Sequence, residues 1–307
     1  MNRLFTFFKI SLIVVLFSST SFGQDIDQQL SFKLSNDKFA DKDQYFTNGL
    51  YFQYQRELNR NFILPKTDTN KLQLSISLGN EIYSPTSLSS ISTSDFDRPF
   101  AGWLFGKLEV GSIKERSAFF LGFETGITGE ESQAGSLQIA LHEFFGIDSR
   151  PTWIEEIELK WLFNAKTVHI FDLSSNSKNA LHYRISPSLG TKDIYLENDL
   201  SYFFGKLNPF QNSSRIGIVD TRAAKEFFGY VSVGYKYVAH NTLIQGSLFS
   251  NDVLFTTDIT RHILKSEVGA VLQTKQNTFK VIYSFNTKET PRSTSHIYGS
   301  LVYARRF

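Results

Sequence analysis

The residues best suited to chemistry in this sequence fall into two groups. Gln138 and His142 lie four positions apart in a stretch with helical periodicity, so both project from one helix face. A neutral imidazole can take a proton from water near pH 7, which makes His142 a candidate general base. Asn36 and Asp37 carry amide and carboxylate oxygens, which a hard cation prefers as ligands. The chain has no Cys, so thiolate catalysis and Cys-ligated zinc are excluded.

Each of these residues also has an ordinary structural interpretation. An Asn-Asp pair after a strand is typical of a turn, and Thr47-Asn48-Gly49 is typical of a hairpin or strand start. His142 is one of six histidines, and a single one is often a solvated helix residue. The argument for chemistry is their joint position, because strands of alternating direction would bring all of them to one end of a sheet.

The N-terminal residues 1–23 have the features of a secretory signal peptide. Arg3 and Lys9 precede an apolar stretch at 12–17, and Ser21-Phe22-Gly23 is typical of a cleavage site. The apolar stretch is too short to cross a membrane as a helix, which takes about 20 residues. We therefore expect residues 24–307 to form the mature, exported domain.

Charge is nearly balanced along the chain. The formal net charge is +2, and the segment 1–23 contains two basic residues and no acidic ones. The remainder is formally neutral and has no runs of Lys or Arg, so a nucleic-acid partner is not expected.

The rest of the sequence alternates between large apolar residues and small or polar ones. The alternation is clear in segments 71–83, 117–127, 227–239 and 277–287. A soluble sandwich and a membrane barrel both produce such a pattern. The membrane barrel is favoured because the segments are about 9 to 13 residues long and carry aromatic residues at their ends. A final alternating strand that ends in Phe307 resembles the C-terminal signal of outer-membrane proteins.

We therefore predict an all-β fold, a transmembrane antiparallel β-barrel of twelve strands, with fourteen as the alternative. Residues 153–173 can be one strand or two, and the pattern over 242–250 is weak. The candidate strands are 29–35, 46–57, 71–83, 101–112, 117–127, 153–164, 166–173, 180–190, 193–203, 227–239, 242–250, 265–274, 277–287 and 296–306.

One segment breaks the alternation and predicts a short helix in an extracellular loop. Leu137, Leu141, Phe144 and Phe145 recur at helical spacing, and Gly146 is a typical helix stop. We expect this apolar row to dock on the barrel rim. The polar face would then turn towards the opening near Asn36 and Thr47.

Taken together, the ordered motifs of the first half of the chain resemble the lipid A 3'-O-deacylase family of outer-membrane barrels. The match in order and spacing extends over residues 30 to about 165. The motifs are Asn36-Asp37, Tyr45-Phe46-Thr47-Asn48-Gly49, Ile82-Tyr83-Ser84-Pro85, Arg98-Pro99-Phe100-Ala101-Gly102-Trp103, and Gln138-x-x-x-His142 followed by Gly146 and Pro151-x-Trp153.

This resemblance implies a calcium-dependent ester hydrolase that removes the 3'-linked acyloxyacyl chain of lipid A. His142 would be the base that activates water, and Asn36 and Asp37 would hold Ca²⁺ near the developing oxyanion. Thr47 would line the site, and Gln138 would orient it. The partners would be lipopolysaccharide and the outer membrane of a Gram-negative cell, and the protein is expected to be a monomer.

The sequence departs from the family in one loop. Some relatives carry a Lys after the Tyr-Ser-Pro motif that can pair with a lipid A phosphate, whereas residues 86–97 contain no basic residue. A phosphate contact would have to come from Arg98, Lys38 or Lys42.

Two other functions fit parts of the sequence. A porin or structural barrel without catalysis needs only the alternation and the aromatic residues. An outer-membrane phospholipase of the Ser-His-Asn type would need a Ser close to a His on the barrel wall, for which His182 and Ser186 are weak candidates.

Overall fold

The computed structural model describes residues 27–40, 44–147, 149–174, 179–219, 224–249 and 255–307. The predicted signal peptide, residues 1–23, lies outside the described residues. No helix in the described part of the chain is long and apolar enough to cross a membrane.

Twelve antiparallel strands form a closed barrel in which sequence neighbours pair and β1 pairs with β12. The strands are β1 (Gln28–Asn36), β2 (Tyr45–Leu58), β3 (Lys71–Ser84), β4 (Ala101–Ile113), β5 (Ser117–Ile127), β6 (Trp161–Asp172), β7 (Asn179–Gly190), β8 (Asp193–Lys206), β9 (Glu226–Asn241), β10 (His262–Gln273), β11 (Asn277–Asn286) and β12 (His296–Arg306). The α-helices are α1 (Ala134–Phe145) and α2 (Thr242–Gln245). Short 3₁₀ turns span Asp37–Ala40, Thr93–Asp95, Glu130–Ser132, Phe210–Asn212 and Ser214–Ile216. The predicted transmembrane antiparallel barrel of twelve strands with a short loop helix is confirmed.

Two features reduce the fourteen candidate strands to twelve. The candidates 153–164 and 166–173 form the single strand β6, and residues 153–160 are loop, in which Trp153 and Glu155 adopt left-handed backbone conformations with φ of 52° and 50°. The stretch from 242 begins as helix α2, because the Asn241 side chain accepts from the backbone N–H of Leu243 and caps its N-terminus. The alternative prediction of fourteen strands is therefore wrong.

The two faces of the barrel follow the alternation. Leu78, Val233 and Phe279 point outwards and are 55%, 63% and 48% exposed, as expected of side chains that face lipid. The lumen holds polar side chains that pair with each other, such as Lys107 with Glu109 at 2.5 Å. The outward face is thus apolar enough to lie against the hydrocarbon core of a membrane, whereas the inward face is polar.

The ends of the barrel differ. The end where β1 finishes, here called the outer end, carries the loop 128–160 with helix α1. The opposite, inner end receives residues 207–219, whose apolar side chains pack inside the barrel. Phe210, Ile216 and Ile218 pack there with Phe120. The carbonyl oxygen of Gly217 accepts from Gln55 and Gln73 on the barrel wall.

Candidate active site

A cavity of about 1270 Å³ lies on the outer, lipid-facing wall of the barrel, bordered by β1, β2, β3 and α1. We call it the wall cavity. Its apolar lining includes Leu34, Leu50, Phe52, Leu78, Leu141 and Phe144. Its polar lining near the outer end consists of Asn36, Lys38, Thr47, Asn48, Gln138 and His142. Four of the five predicted catalytic residues therefore meet in one cavity, and the fifth, Asp37, is adjacent to Asn36 in the chain.

A β-bulge brings Thr47 to the wall. The pairing of β2 with β3 slips by one residue between Phe46 and Asn48, so Thr47 is the extra residue. Thr47 and Asn48 consequently both border the wall cavity, although neighbours in a regular strand face opposite sides. Tyr45, just before the bulge, is buried with a φ of 67°, a backbone strain that its surroundings must hold in place.

Hydrogen bonds of the Tyr45 hydroxyl hold the strained first residue of β2 in place. Its hydroxyl donates to Asp97 Oδ2 at 3.0 Å and accepts from the backbone N–H of Thr294 at 2.8 Å. The loops before β4 and before β12 are thereby tied to the residue that precedes the bulge. The position of Thr47 thus depends on contacts from distant parts of the chain.

Asn36 and Asn48 face each other directly across β1 and β2. Side chains at such paired positions have Cβ atoms about 5 Å apart. Asn36 Oδ1 accepts from the backbone N–H of Lys38 at 2.7 Å, while Asp37 is fully buried and its Oδ2 accepts from the backbone N–H of Gln44. The polar end of the cavity therefore has an Asn on each of two adjacent strands and a carboxylate beside one of them.

Helix α1 is fixed to the barrel by a chain of side-chain hydrogen bonds. Trp153 Nε1 donates to Gln138 Oε1 at 2.8 Å, and Gln138 Nε2 donates to Ser84 Oγ at 3.0 Å. Ser84 Oγ in turn accepts from Thr47 Oγ1 at 2.9 Å. Gln138 thus contacts Ser84 and Trp153, and it positions α1 so that His142, one turn later, borders the cavity.

The start of α1 packs tightly on β4. A Cβ on Gly102 would lie 2.0 Å from Ser132 Oγ and 2.4 Å from Ala134 Cβ, so only glycine fits under this part of the loop. The close approach brings the helix against the outer wall.

The imidazole of His142 is held by a backbone carbonyl. Its Nδ1 lies 2.6 Å from the carbonyl oxygen of Ser149, which can only accept a hydrogen bond. Nδ1 therefore carries the proton, and in the neutral ring Nε2 is the basic nitrogen. His142 is buried and borders the cavity, which is the arrangement that a general base needs.

The polar face of α1 borders the cavity together with Asn36 and Thr47, as expected, whereas the apolar row is not buried on the barrel rim as predicted. Gln138 and His142 are buried, whereas Leu137 and Leu141 are half-buried and Phe144 is 42% exposed. The helix lies on a lipid-facing wall, so its apolar row can remain at the surface while its polar face satisfies its hydrogen bonds against the barrel.

Two of the three candidate phosphate contacts lie in the described part of the chain, in different environments. Lys38 borders the wall cavity. Arg98 does not: it is buried, its Nη1 pairs with Glu289 Oε2 at 3.2 Å, and its guanidinium stacks on the Tyr83 ring at 4.5 Å. Lys42, the third candidate, lies outside the described residues.

Sequence reasoning missed several residues of the site. Asn48, Ser84 and Trp153 belong to the quoted motifs, but none of them has a predicted role. The carbonyl of Ser149 left no sequence signal, because any residue supplies a carbonyl. Asn48 could have been found from the alternation, because it is a polar residue on the strand face that otherwise carries apolar side chains.

The donors near Asn36 suit one particular kind of cation. Within the described ranges, no group of three or more His, Asp or Glu is arranged to hold a metal ion. The available donors are amide, hydroxyl and carboxylate oxygens with a single negative charge, at Asp37. Such a set fits a hard cation that keeps water or substrate oxygens as further ligands, as Ca²⁺ does, and it does not fit zinc.

Comparison with known proteins assigns the family. The family described as "Outer membrane protein LpxR" matches the chain over residues 6–307. The chain belongs to the outer membrane protein LpxR family. The solved structure of LpxR from Salmonella typhimurium is 21% identical, has a TM-score of 0.75, and is matched over 91% of this chain and 100% of that one. The β domain of the Bordetella autotransporter BrkA is 8% identical, with a TM-score of 0.49 and coverage of 92% and 98%. A search of curated proteins finds no match.

The resemblance predicted from the motifs is therefore confirmed, and the match extends from the first half to nearly the whole chain. The LpxR family and the barrel fold together indicate an outer-membrane protein, as predicted, and support a lipid A deacylase.

Proposed function

We propose that this LpxR family member is an ester hydrolase that removes the 3'-linked acyloxyacyl chain from lipid A in the outer membrane. The observation that carries the proposal is the composition of the wall cavity. The cavity brings the buried His142 together with Asn36 and Thr47 at one end of a long apolar surface that faces lipid. A lipid substrate can reach such a site from within the membrane.

His142 is the general base of the proposed reaction. Its Nε2 takes a proton from a water molecule while the water oxygen forms a bond to the ester carbonyl carbon, and the carbonyl electron pair moves onto the oxygen. When the intermediate collapses, the bond between the carbonyl carbon and the sugar oxygen breaks. The imidazolium then returns the proton to the leaving oxygen, which yields a sugar hydroxyl and a free acid.

The residues around His142 prepare this step. The Ser149 carbonyl keeps Nδ1 protonated and stabilises the imidazolium that forms. Gln138, through Ser84 and Trp153, keeps α1 against the wall. Asn36 and Asp37 would hold Ca²⁺, which when bound supplies positive charge to the developing oxyanion.

The apolar part of the cavity suits an acyl chain. Below the polar end, paired rows of β1 and β2 present Leu34 with Leu50 and then Phe32 with Phe52, whose rings are 5.0 Å apart. The Phe row lies four residues from Asn36 and Asn48, which is about 13 Å along a strand. A fatty-acyl chain that extends from the polar end along the wall would cover these rows.

The two rival functions fit the structure less well. A porin needs an open lumen, but residues 207–219 pack inside the inner end of the barrel. A phospholipase with a Ser-His pair needs the two side chains within hydrogen-bond reach. His182 and Ser186 lie four residues apart on strand β7, about 13 Å, and both face the lumen.

Mass spectrometry of lipid A from cells that produce the protein tests the proposed function. We expect a loss equal to the mass of one acyloxyacyl group, with the phosphates and the remaining chains unchanged. An unchanged lipid A, or a loss that corresponds to another chain, would contradict the proposal. The same spectra would show which phosphorylated forms are accepted, since Lys38, a proposed phosphate contact, borders the cavity.

A further inference from the structure

The polar end of the wall cavity contains a buried amide group whose hydrogen-bonding capacity is unused. Asn48 is 1% exposed, and neither its Oδ1 nor its Nδ2 has a hydrogen-bond partner among the described residues. Buried polar groups in native proteins are nearly always paired, so an amide with neither atom paired requires an explanation. By contrast, the amide oxygen of Asn36, which faces Asn48 on the neighbouring strand, accepts from the Lys38 N–H.

The position of Asn48 supplies the explanation. It faces Asn36 across β1 and β2 and follows Thr47, whose hydroxyl is already committed to Ser84. A regular strand would turn either Thr47 or Asn48 away from lipid, and the bulge keeps both on the wall. The bulge and the strained Tyr45 thus hold an unpaired amide in the same cavity as His142, which suits an ester.

We propose that Asn48 is a catalytic residue whose Nδ2–H donates to the carbonyl oxygen of the scissile ester and stays bonded as that oxygen becomes an oxyanion. This inference rests on the proposed function. A pre-positioned amide donor in a site shielded from water stabilises the transition state more than the ground state, because charge grows on the oxygen during attack. Asn48 Oδ1 remains available to a donor group of the same substrate.

The test compares variants of the full-length barrel, purified and assayed on lipid A with Ca²⁺ present. Asn48→Ala removes the donor, and we expect kcat to fall by about 10²- to 10³-fold, as for the loss of one oxyanion donor, with little change in KM. Asn48→Asp keeps the shape but has no N–H, so we expect a comparable loss of kcat. Retention of heat-modifiable migration in gels shows that the barrels are folded.

A matched control separates catalysis from the mere removal of an unpaired amide. Asn286 also has a buried Oδ1 without a hydrogen-bond partner among the described residues, but it faces the lumen. We expect Asn286→Ala to keep kcat within about threefold of the wild type, as for most single substitutions outside a site.

Three results would overturn the proposal. One is a folded Asn48→Ala variant with wild-type kcat. The second is an Asn48→Asp variant that stays active and binds Ca²⁺ more tightly by calorimetry, since the side chain would then be a cation ligand. The third is an equal loss in Asn286→Ala. A wild-type protein that hydrolyses no lipid A at all would instead refute the proposed function, so the two failures are distinguishable.

Discussion

The lumen and the outer wall of this barrel differ in how their polar groups are arranged. In the lumen, charges are matched by partners: Arg184 pairs with Glu197 and Asp199 at 2.6 Å each, and Lys265 pairs with Glu197 at 2.9 Å. On the outer wall, polar side chains gather at one end of an apolar cavity, and the amide of Asn48 has no hydrogen-bond partner among the described residues.

The difference indicates where function lies. A network whose members satisfy each other mainly fixes the structure, since breaking a buried pair leaves an uncompensated charge. A buried amide with both polar atoms unsatisfied, at the end of an apolar cavity, is available to a ligand. We therefore infer that the luminal network stabilises the barrel, and that the wall cavity is the site of the proposed reaction.

The largest effect is expected from the proposed cation ligands on the wall. A chelator should abolish hydrolysis and added Ca²⁺ should restore it, because neutral oxygen donors and one carboxylate supply little charge to the oxyanion without a cation. Asp37→Ala should yield a folded barrel without activity. The luminal control is Asp199→Ala, after which Arg184 still pairs with Glu197, so activity should persist. Hydrolysis that is indifferent to the chelator would refute the role of the metal.

A smaller but still large effect is expected where α1 meets the wall. Gly102→Ala places a methyl group where Ser132 and Ala134 now pack, so the helix and His142 must shift. We expect a loss of about 10²-fold in kcat, the size associated with misplacement of a reacting group by about 1 Å. The matched control is Gly106→Ala on the same face of β4, where the nearest atom is a backbone oxygen at 3.9 Å. Equal rates for the two variants would show that the close packing is not needed.

The smallest effect concerns the outer loop that carries α1. Burial, with smaller contributions from Glu130 and Glu131, raises the pKa of Glu156 from 4.5 to about 7. A carboxyl with a raised pKa favours the folded loop fully below pH 4.5, and this contribution is lost as the pH rises through about 7. The wild-type loop should therefore be cleaved faster by protease at pH 8 than at pH 5.

Glu156→Gln should remove most of that pH dependence, because glutamine carries no charge at either pH. The exposed Glu143→Gln serves as the control and should leave the dependence unchanged. A wild-type loop that is equally resistant at both pH values would contradict the prediction.

Much of the barrel is predictable from sequence, because strand alternation and the lipid environment act on each strand separately. The alternation in 71–83 predicts β3 almost to its ends, since its outward positions within the span are apolar from Leu72 to Leu78. The stretch 153–160 could not be assigned this way. Trp153 bonds to Gln138 and packs on Phe100, contacts that exist only in the folded loop.

The site is predictable in its chemistry and not in its geometry. The proposed oxygen ligands and the proposed imidazole base are visible as residue types, but the bulge at Thr47 depends on how β2 pairs with β3. Arg98 shows the same limit, because its partner Glu289 follows 191 positions later in the chain. The orientation of α1 also depends on the lipid around the barrel, because apolar side chains of a helix that faces lipid do not have to be buried against protein.

The central claim is that the outer wall carries the catalytic site and that the lumen stabilises the barrel. The most direct test makes the same substitution at one histidine in each region. His142→Gln and His182→Gln remove a base but retain hydrogen-bonding capacity, the first on the wall and the second in the lumen, where His182 packs on Phe203 and Phe210. Initial rates of lipid A deacylation would be measured from pH 5 to 8 for both variants and the wild type. His142→Gln should lose at least about 10²-fold, and His182→Gln should retain both the rate and the pH profile. A folded His142→Gln variant with near wild-type rates, or an equal loss in His182→Gln, would contradict the account.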